Sequence, residues 1–128
     1  MSNIPTSRPT IAIPLWVTIF ALIVCILGGA LGVMTLFVQT DPGMTVSWGG
    51  RTIGLAIVTG MAVYLKSPIL YMAAFAGGIA RDFGDMIAEM SKVEPSTGAT
   101  VGAVLFILLG IGGFIAANIS RKSEANVL

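Results

Sequence analysis

The chain has 128 residues, of which 55% are hydrophobic and 10% are charged, and its mean hydropathy is +0.94. A soluble domain usually carries about 25% charged residues, so this composition excludes an ordinary soluble protein and predicts an integral membrane protein. The net charge of +1 comes without a run of basic residues, which argues against nucleic-acid binding. The lack of histidine removes the usual haem ligand and the commonest general base, and the single cysteine, Cys25, offers no C-x-x-C motif. We therefore predict no catalytic residue, no metal and no cofactor.

The first apolar segment predicts a membrane helix over about residues 11–37. No charged residue occurs from Pro9 to Thr40, and Pro14 and Trp16 stand close to the start of this stretch. Proline is tolerated in the first turn of a helix, and tryptophan is common where a span meets the membrane interface. The turn signal Asp41-Pro42-Gly43 ends the segment.

The second and third helices are predicted over about residues 46–65 and 68–90, with a very tight turn between them. Lys66 ends the second helix, and Ser67-Pro68 supplies an N-cap residue followed by proline at the first helical position. The uncharged part of the third segment, Ser67 to Ala80, has 14 residues and covers only about 20 Å. Either the helix continues through the charged residues that follow, or it stops and an interfacial helix begins. The lack of a proline or other stop signal favours continuation.

The last helix is predicted over about residues 99–120. It completes an antiparallel bundle of four membrane-spanning helices over residues 11–120, with terminal tails at 1–10 and 121–128. Basic residues collect at one end of this bundle, so the positive-inside rule predicts that both termini are cytoplasmic. That end holds Arg8, Lys66, Arg121 and Lys122, and the opposite end holds Asp41, Lys92 and Glu94.

The third helix carries a narrow stripe of polar and aromatic residues. Members that are three or four positions apart lie on one side of a helix. The stripe consists of Tyr71, Phe75, Gly78, Asp82, Asp85 and Glu89. Arg81 lies at its edge, one turn before Asp85, which is the spacing of a side-chain ion pair. Charged groups are costly inside a membrane, so we expect these residues to face a partner, a cavity or the interface.

Arg51 lies a few residues into the second helix, at the level that Asp82 and Asp85 reach in an antiparallel hairpin. We therefore predict an intramembrane cluster of Arg51, Arg81, Asp82 and Asp85. One interpretation is a charge-balanced clamp between helices two and three. Another is a pocket at the outer leaflet for a lipid or a small anionic molecule, and a third is proton movement through the two aspartates. Glu89 is expected at the interface.

Glycine is frequent, and three pairs of glycines predict small faces for close helix packing. The pairs are Gly28 with Gly32, Gly50 with Gly54, and Gly110 with Gly113. Such faces serve packing within the bundle or association with another chain. Other membrane subunits or a second copy of the chain are therefore candidate partners, beside the lipid bilayer.

Four features carry a resemblance to a known group: a glycine-terminated first span, the opening Trp48 to Gly54 of the second, Lys66-Ser67-Pro68, and the segment Arg81 to Asp85. With these features the chain resembles small bacterial four-helix membrane proteins of unknown function that are allied to the DoxX-like group. The resemblance extends over about residues 11–122. It implies a four-helix bundle in a bacterial inner membrane and brings no established catalytic residue.

These observations together predict a non-enzymatic membrane protein that acts as an accessory or scaffolding subunit of a membrane assembly. The alternative is a binder of a lipid or small anionic molecule at the charged cluster. A proton-coupled transporter is the third reading.

Overall fold

A computed structural model of the protein describes residues 10–38 and 45–126. These residues form four α-helices and no strand, so the predicted all-helical class is confirmed. The helices are α1 (Leu15–Phe37), α2 (Val46–Leu65), α3 (Pro68–Met90) and α4 (Thr97–Ala125). The predicted turn at Asp41-Pro42-Gly43 and the topological role of Arg8 lie outside the described residues.

The helix boundaries follow from capping residues. Thr45 accepts a hydrogen bond from the Trp48 backbone N–H at 3.3 Å and caps α2, and Ser67 accepts one from the Leu70 N–H at 3.4 Å and caps α3. Pro68 occupies the first turn of α3, as predicted. Between the two helices, Lys66 adopts the left-handed conformation with φ of 49°, which costs roughly 1–2 kcal/mol for a residue with a side chain.

The first and last helices differ from their predicted bounds. α1 begins at Leu15 and not at residue 11, because Pro14 takes the N-cap position. α4 begins at Thr97, since Ser96 accepts a hydrogen bond from the Ala99 N–H at 3.3 Å and caps the helix. It continues past residue 120 to Ala125, through residues with good helix propensity.

Among the described helices, α1, α2 and α4 are long and apolar enough to cross a membrane. α3 has the same length as α1, 23 residues, and it runs without a break through the charged segment. It is not among the three because Arg81, Asp82 and Asp85 lie within it. Its passage through a membrane therefore stays a prediction.

The bundle consists of two tightly packed hairpins, α1 with α2 and α3 with α4, and α2 packs less closely on α3. Glycines allow both close contacts. A Cβ atom placed on Gly32 would lie 2.7 Å from Ile53 Cγ1, and one on Gly49 would lie 2.9 Å from the Gly32 carbonyl oxygen. On α4, a Cβ atom on Gly113 would lie 2.7 Å from the Phe75 ring. No side chain larger than hydrogen fits these positions without movement of a neighbour.

The core joins the two hairpins through aromatic side chains. Phe20 of α1 stacks on Phe75 of α3, with ring centroids 5.9 Å apart, and also contacts Phe106 of α4 at 5.8 Å. The buried residues around them are Val17, Ala21, Ala62, Tyr71 and Ala117. These groups form the apolar core between the two hairpins.

Candidate functional site

The predicted stripe on α3 forms the side of the helix that faces the bundle. Tyr71, Phe75 and Asp82 are 2%, 5% and 9% exposed. The other three members, Gly78, Asp85 and Glu89, are half-buried. The opposite side of α3 is exposed and apolar, and it consists of Ile69, Ala73, Ala76, Ala80, Phe83 and Ile87. The acidic side chains of α3 therefore lie on the side of the helix that faces the bundle.

Arg81 forms an ion pair with its neighbour Asp82. Its Nε and Nη2 atoms both donate to Asp82 Oδ1, at 2.9 and 2.5 Å, and the two side chains are only 18% and 12% exposed. The predicted pairing of Arg81 with Asp85 is wrong, because the guanidinium folds back onto the adjacent carboxylate. A buried charge that loses such a partner is strongly destabilising, so each residue stabilises the burial of the other.

Asp85 has a neutral partner on α2. Trp48 Nε1 donates to Asp85 Oδ2 at 3.4 Å, and the Trp48 carbonyl accepts a hydrogen bond from Thr52 Oγ1 at 2.9 Å. In the sequence analysis, Trp48 appeared only as the first residue of the motif that opens the second helix. Its place at the entrance of α2, on the same end of the hairpin as Asp85, was the signal that could have identified it.

Arg51 does not reach either aspartate. The structure gives it no ion pair with any described carboxylate, so the predicted contact of Arg51 with Asp82 or Asp85 is wrong. Gly49, Thr52 and Ala56 take the buried side of α2, which turns the Arg51 side chain outward, where it is exposed. The clamp between α2 and α3 is therefore the hydrogen bond from Trp48 to Asp85.

Arg51 and Arg81 nevertheless line one groove, which runs between α2 and α3 on the outer surface of the bundle and has a volume of about 580 Å³. The remaining lining residues are small or apolar: Gly54, Leu55, Val58, Ala73, Gly77 and Ala80. Both arginines lie far from the Lys66 turn, and the apolar floor extends from them toward that turn. The groove thus has a cationic end and an apolar body.

A small cavity of about 20 Å³ lies on the inner side of the same ion pair. Its lining includes Arg81, Asp82, Thr59 and the rings of Phe20 and Phe75. The volume is sufficient for one water molecule, and the carboxylate, guanidinium and hydroxyl groups are suitable partners for it.

Glu89 organises the turn between α3 and α4. One carboxylate oxygen accepts a hydrogen bond from the Ser96 backbone N–H at 2.8 Å, and the other accepts one from Lys92 Nζ at 2.5 Å. Ser96 is the N-cap residue of α4, so Glu89 connects the end of one helix to the start of the next.

The predicted packing glycines divide into two groups. Gly28 and Gly32 lie against α2, and Gly110 and Gly113 lie against α3. A Cβ atom placed on Gly50 or Gly54 would have no neighbouring atom within 4 Å, and Gly54 lines the groove. Gly49, which the sequence did not single out, makes the close approach of α2 to α1.

Within residues 10–38 and 45–126, no three His, Cys, Asp or Glu residues are grouped so that they could hold a metal ion. Comparison of the chain with protein-family models, with curated proteins and with solved structures finds no match. The resemblance to the DoxX-like group therefore stays a prediction, and functional inference rests on the geometry of the site.

Proposed function

We propose that the protein binds an anionic phospholipid of the bilayer in the groove between α2 and α3. The observation that carries this proposal is the pair Arg51 and Arg81 at one end of a groove that is otherwise small and apolar. A guanidinium group has a planar set of donors that matches the oxygens of a phosphate. The lipid phosphate would bind between the two arginines.

The body of the groove fits an acyl chain. From Arg51 to Val58, α2 rises by about 10 Å, along which Gly54 and Leu55 also face the groove. On the other wall, Ala73 and Gly77 leave room for a chain between the helices. Such a chain leaves lipid hydrocarbon and not water, so the groove contributes van der Waals packing, and the preference among lipids comes from the headgroup.

The proposal includes α3 as the fourth span of an inner-membrane protein of a bacterium, with both termini in the cytoplasm. The inward orientation of its acidic side chains supports this, because away from the groove the lipid then meets the apolar side of the helix. Arg81 is paired with Asp82, and Asp85 accepts a hydrogen bond from Trp48. These partners lower the cost of the charges inside the membrane.

A second candidate is the accessory or scaffolding subunit. The exposed Gly50 and Gly54 support it, since small residues on an open helix surface allow another membrane helix to approach closely. Such a helix would cover part of the groove. A lipid and a partner helix therefore compete for this surface, and one experiment can separate them.

The experiment is native mass spectrometry of the protein released from nanodiscs with equal amounts of phosphatidylglycerol and phosphatidylcholine. We expect phosphatidylglycerol to be retained preferentially, and Arg51→Gln to weaken its binding by about tenfold, the effect of one charged hydrogen bond. Arg121→Gln is the matched control, because Arg121 is exposed and does not line the groove. Arg51→Lys tests bidentate recognition, since it keeps the charge and loses the planar donor set.

Equal retention of the two lipids by the parent protein would contradict lipid binding at this site. A protein that co-purifies from native membrane, and that is lost after Gly54→Leu but not after Gly102→Leu, would support the subunit function. Gly102 is a suitable control because its position is also open, on a different helix.

A further inference from the structure

A separate crevice of about 490 Å³ lies at the end of the bundle where α2 joins α3. Each of the four helices contributes at least one residue to its walls, and the segment before α1 contributes the rest together with Lys66. It is lined by Thr10 to Ile13, Thr18, Val63, Lys66, Tyr71, Ser120 and Glu124. No lining residue is shared with the groove between α2 and α3, so the two sites are independent.

One wall of the crevice is fixed by hydrogen bonds. Ser120 Oγ donates to the Ile11 carbonyl at 2.7 Å, and the Ile11 N–H donates to Ser123 Oγ at 2.8 Å, which attaches the segment before α1 to α4. In the interior, the hydroxyl groups of Thr18 and Tyr71 lie 3.2 Å apart and share a hydrogen bond. The crevice is therefore a formed site with a stable wall.

Lys66 and Glu124 give the crevice one charge of each sign. Neither side chain makes an ion pair within the described residues, although both line the same space. Lys66 also stands in the left-handed conformation, where glycine is the usual residue.

We propose that this crevice binds the phosphoethanolamine headgroup of a phospholipid, with its phosphate at Lys66 and its ammonium group at Glu124. The class follows from charge complementarity, since one zwitterionic headgroup can pair with both exposed side chains. The location agrees, because α1 begins and α2 ends here, at the level where a spanning helix meets the lipid headgroups. The apolar residues Ile13 and Val63 line the same crevice and accommodate the first carbons of the lipid.

The recognition distinguishes two common zwitterionic lipids. An ethanolamine ammonium group has N–H donors that form charge-assisted hydrogen bonds with a carboxylate, whereas a choline group has none. We therefore expect the parent protein to bind phosphatidylethanolamine at least about tenfold more tightly than phosphatidylcholine, the effect of one hydrogen bond between charged groups. Affinities are measured by titration of each lipid into detergent-solubilised protein, with native mass spectrometry as the readout.

Two substitutions test the two charges separately. Glu124→Gln should abolish the preference for phosphatidylethanolamine, whereas Lys66→Gln should weaken both lipids about tenfold and preserve the preference. Lys66→Arg should restore the affinity, which separates loss of charge from a change in the turn. The matched controls Glu94→Gln and Lys122→Gln alter exposed residues that do not line the crevice and should change nothing.

Competition with soluble glycerophosphoethanolamine tests whether the crevice binds the headgroup alone or only the intact lipid. Competition by this compound would show that the headgroup alone binds, and no competition alongside the lipid preference would assign the site to the intact lipid. Equal affinity of the parent for the two lipids, or a preference that survives Glu124→Gln, would overturn the proposal. Arg51→Gln should leave the preference intact, so failure at the groove and failure at the crevice are distinguishable.

Discussion

At the scale of single residues, Asp82 obtains its partner from α3 itself and Asp85 obtains its partner from α2. Arg81 neutralises the adjacent Asp82, and the indole N–H of Trp48 reaches Asp85 from α2. This arrangement leaves Arg51 without a structural role within the described bundle. Arg81 therefore stabilises the bundle and also lines the groove, whereas Arg51 only lines the groove.

Substitution of Arg81 tests whether its ion pair with Asp82 stabilises the protein and whether Arg51 does not. Arg81→Gln should lower the free energy of unfolding by about 3–5 kcal/mol, because Asp82 is left as an uncompensated charge. Arg51→Gln, the matched control, should cost less than about 0.5 kcal/mol, as a surface substitution does. Chemical unfolding in detergent micelles measures both values.

The double variant Arg81→Gln/Asp82→Asn should recover part of the loss, because no unpaired charge remains. Additivity of the two single effects in this double-mutant cycle would show that the residues do not interact. An equal cost for Arg81→Gln and Arg51→Gln would contradict the assigned pairing.

At the scale of the helices, glycine position decides which surfaces are closed. Gly113 lies directly under the Phe75 ring, and Gly32 lies under Ile53 and α2. Gly54 also lies within a regular helix, but a Cβ atom placed on it would meet no neighbouring atom. The two helical hairpins are therefore tight inside, and the surface between them remains accessible.

Alanine substitution separates the two kinds of glycine. Gly113→Ala should destabilise by about 1–3 kcal/mol, since its Cβ atom would lie 2.7 Å from the Phe75 ring. Gly54→Ala should stabilise by about 0.5–1 kcal/mol, because alanine favours the helix and meets no neighbour. Thermal unfolding in one detergent compares them, and a shift of equal sign for both variants would contradict the packing.

The sequence was sufficient to predict the helices and insufficient to predict their contacts. Ser67 and Pro68 determine the start of α3 through local backbone chemistry, so that boundary was correct to the residue. The partner of Arg81 depends on a side-chain rotamer, and the outward turn of Arg51 depends on which side of α2 packs on α1. Helical spacing alone predicts neither the rotamer of Arg81 nor the side of α2 that packs on α1. It also could not show that Gly49, and not Gly50, contacts α1.

At the scale of the whole molecule, α3 determines how many times the chain crosses the membrane. α1, α2 and α4 qualify as spans by length and composition. With α3 as a fourth span, the two termini lie on one side of the membrane. With α3 in the interface, three crossings place them on opposite sides. The inward orientation of Asp82, and the exposed apolar side at Phe83 and Ile87, favour four crossings.

Single-cysteine labelling decides between three and four crossings. In a Cys25→Ser background, which removes the single natural thiol, cysteine is introduced as Ser2→Cys, Glu94→Cys or Lys122→Cys. In intact bacterial cells, a membrane-impermeant maleimide should label the Glu94→Cys variant alone, because the positive-inside rule predicts that both termini are cytoplasmic. After cell lysis all three should react, which controls for accessibility. Labelling of only one of the two terminal variants in intact cells would establish an odd number of crossings and exclude α3 as a span.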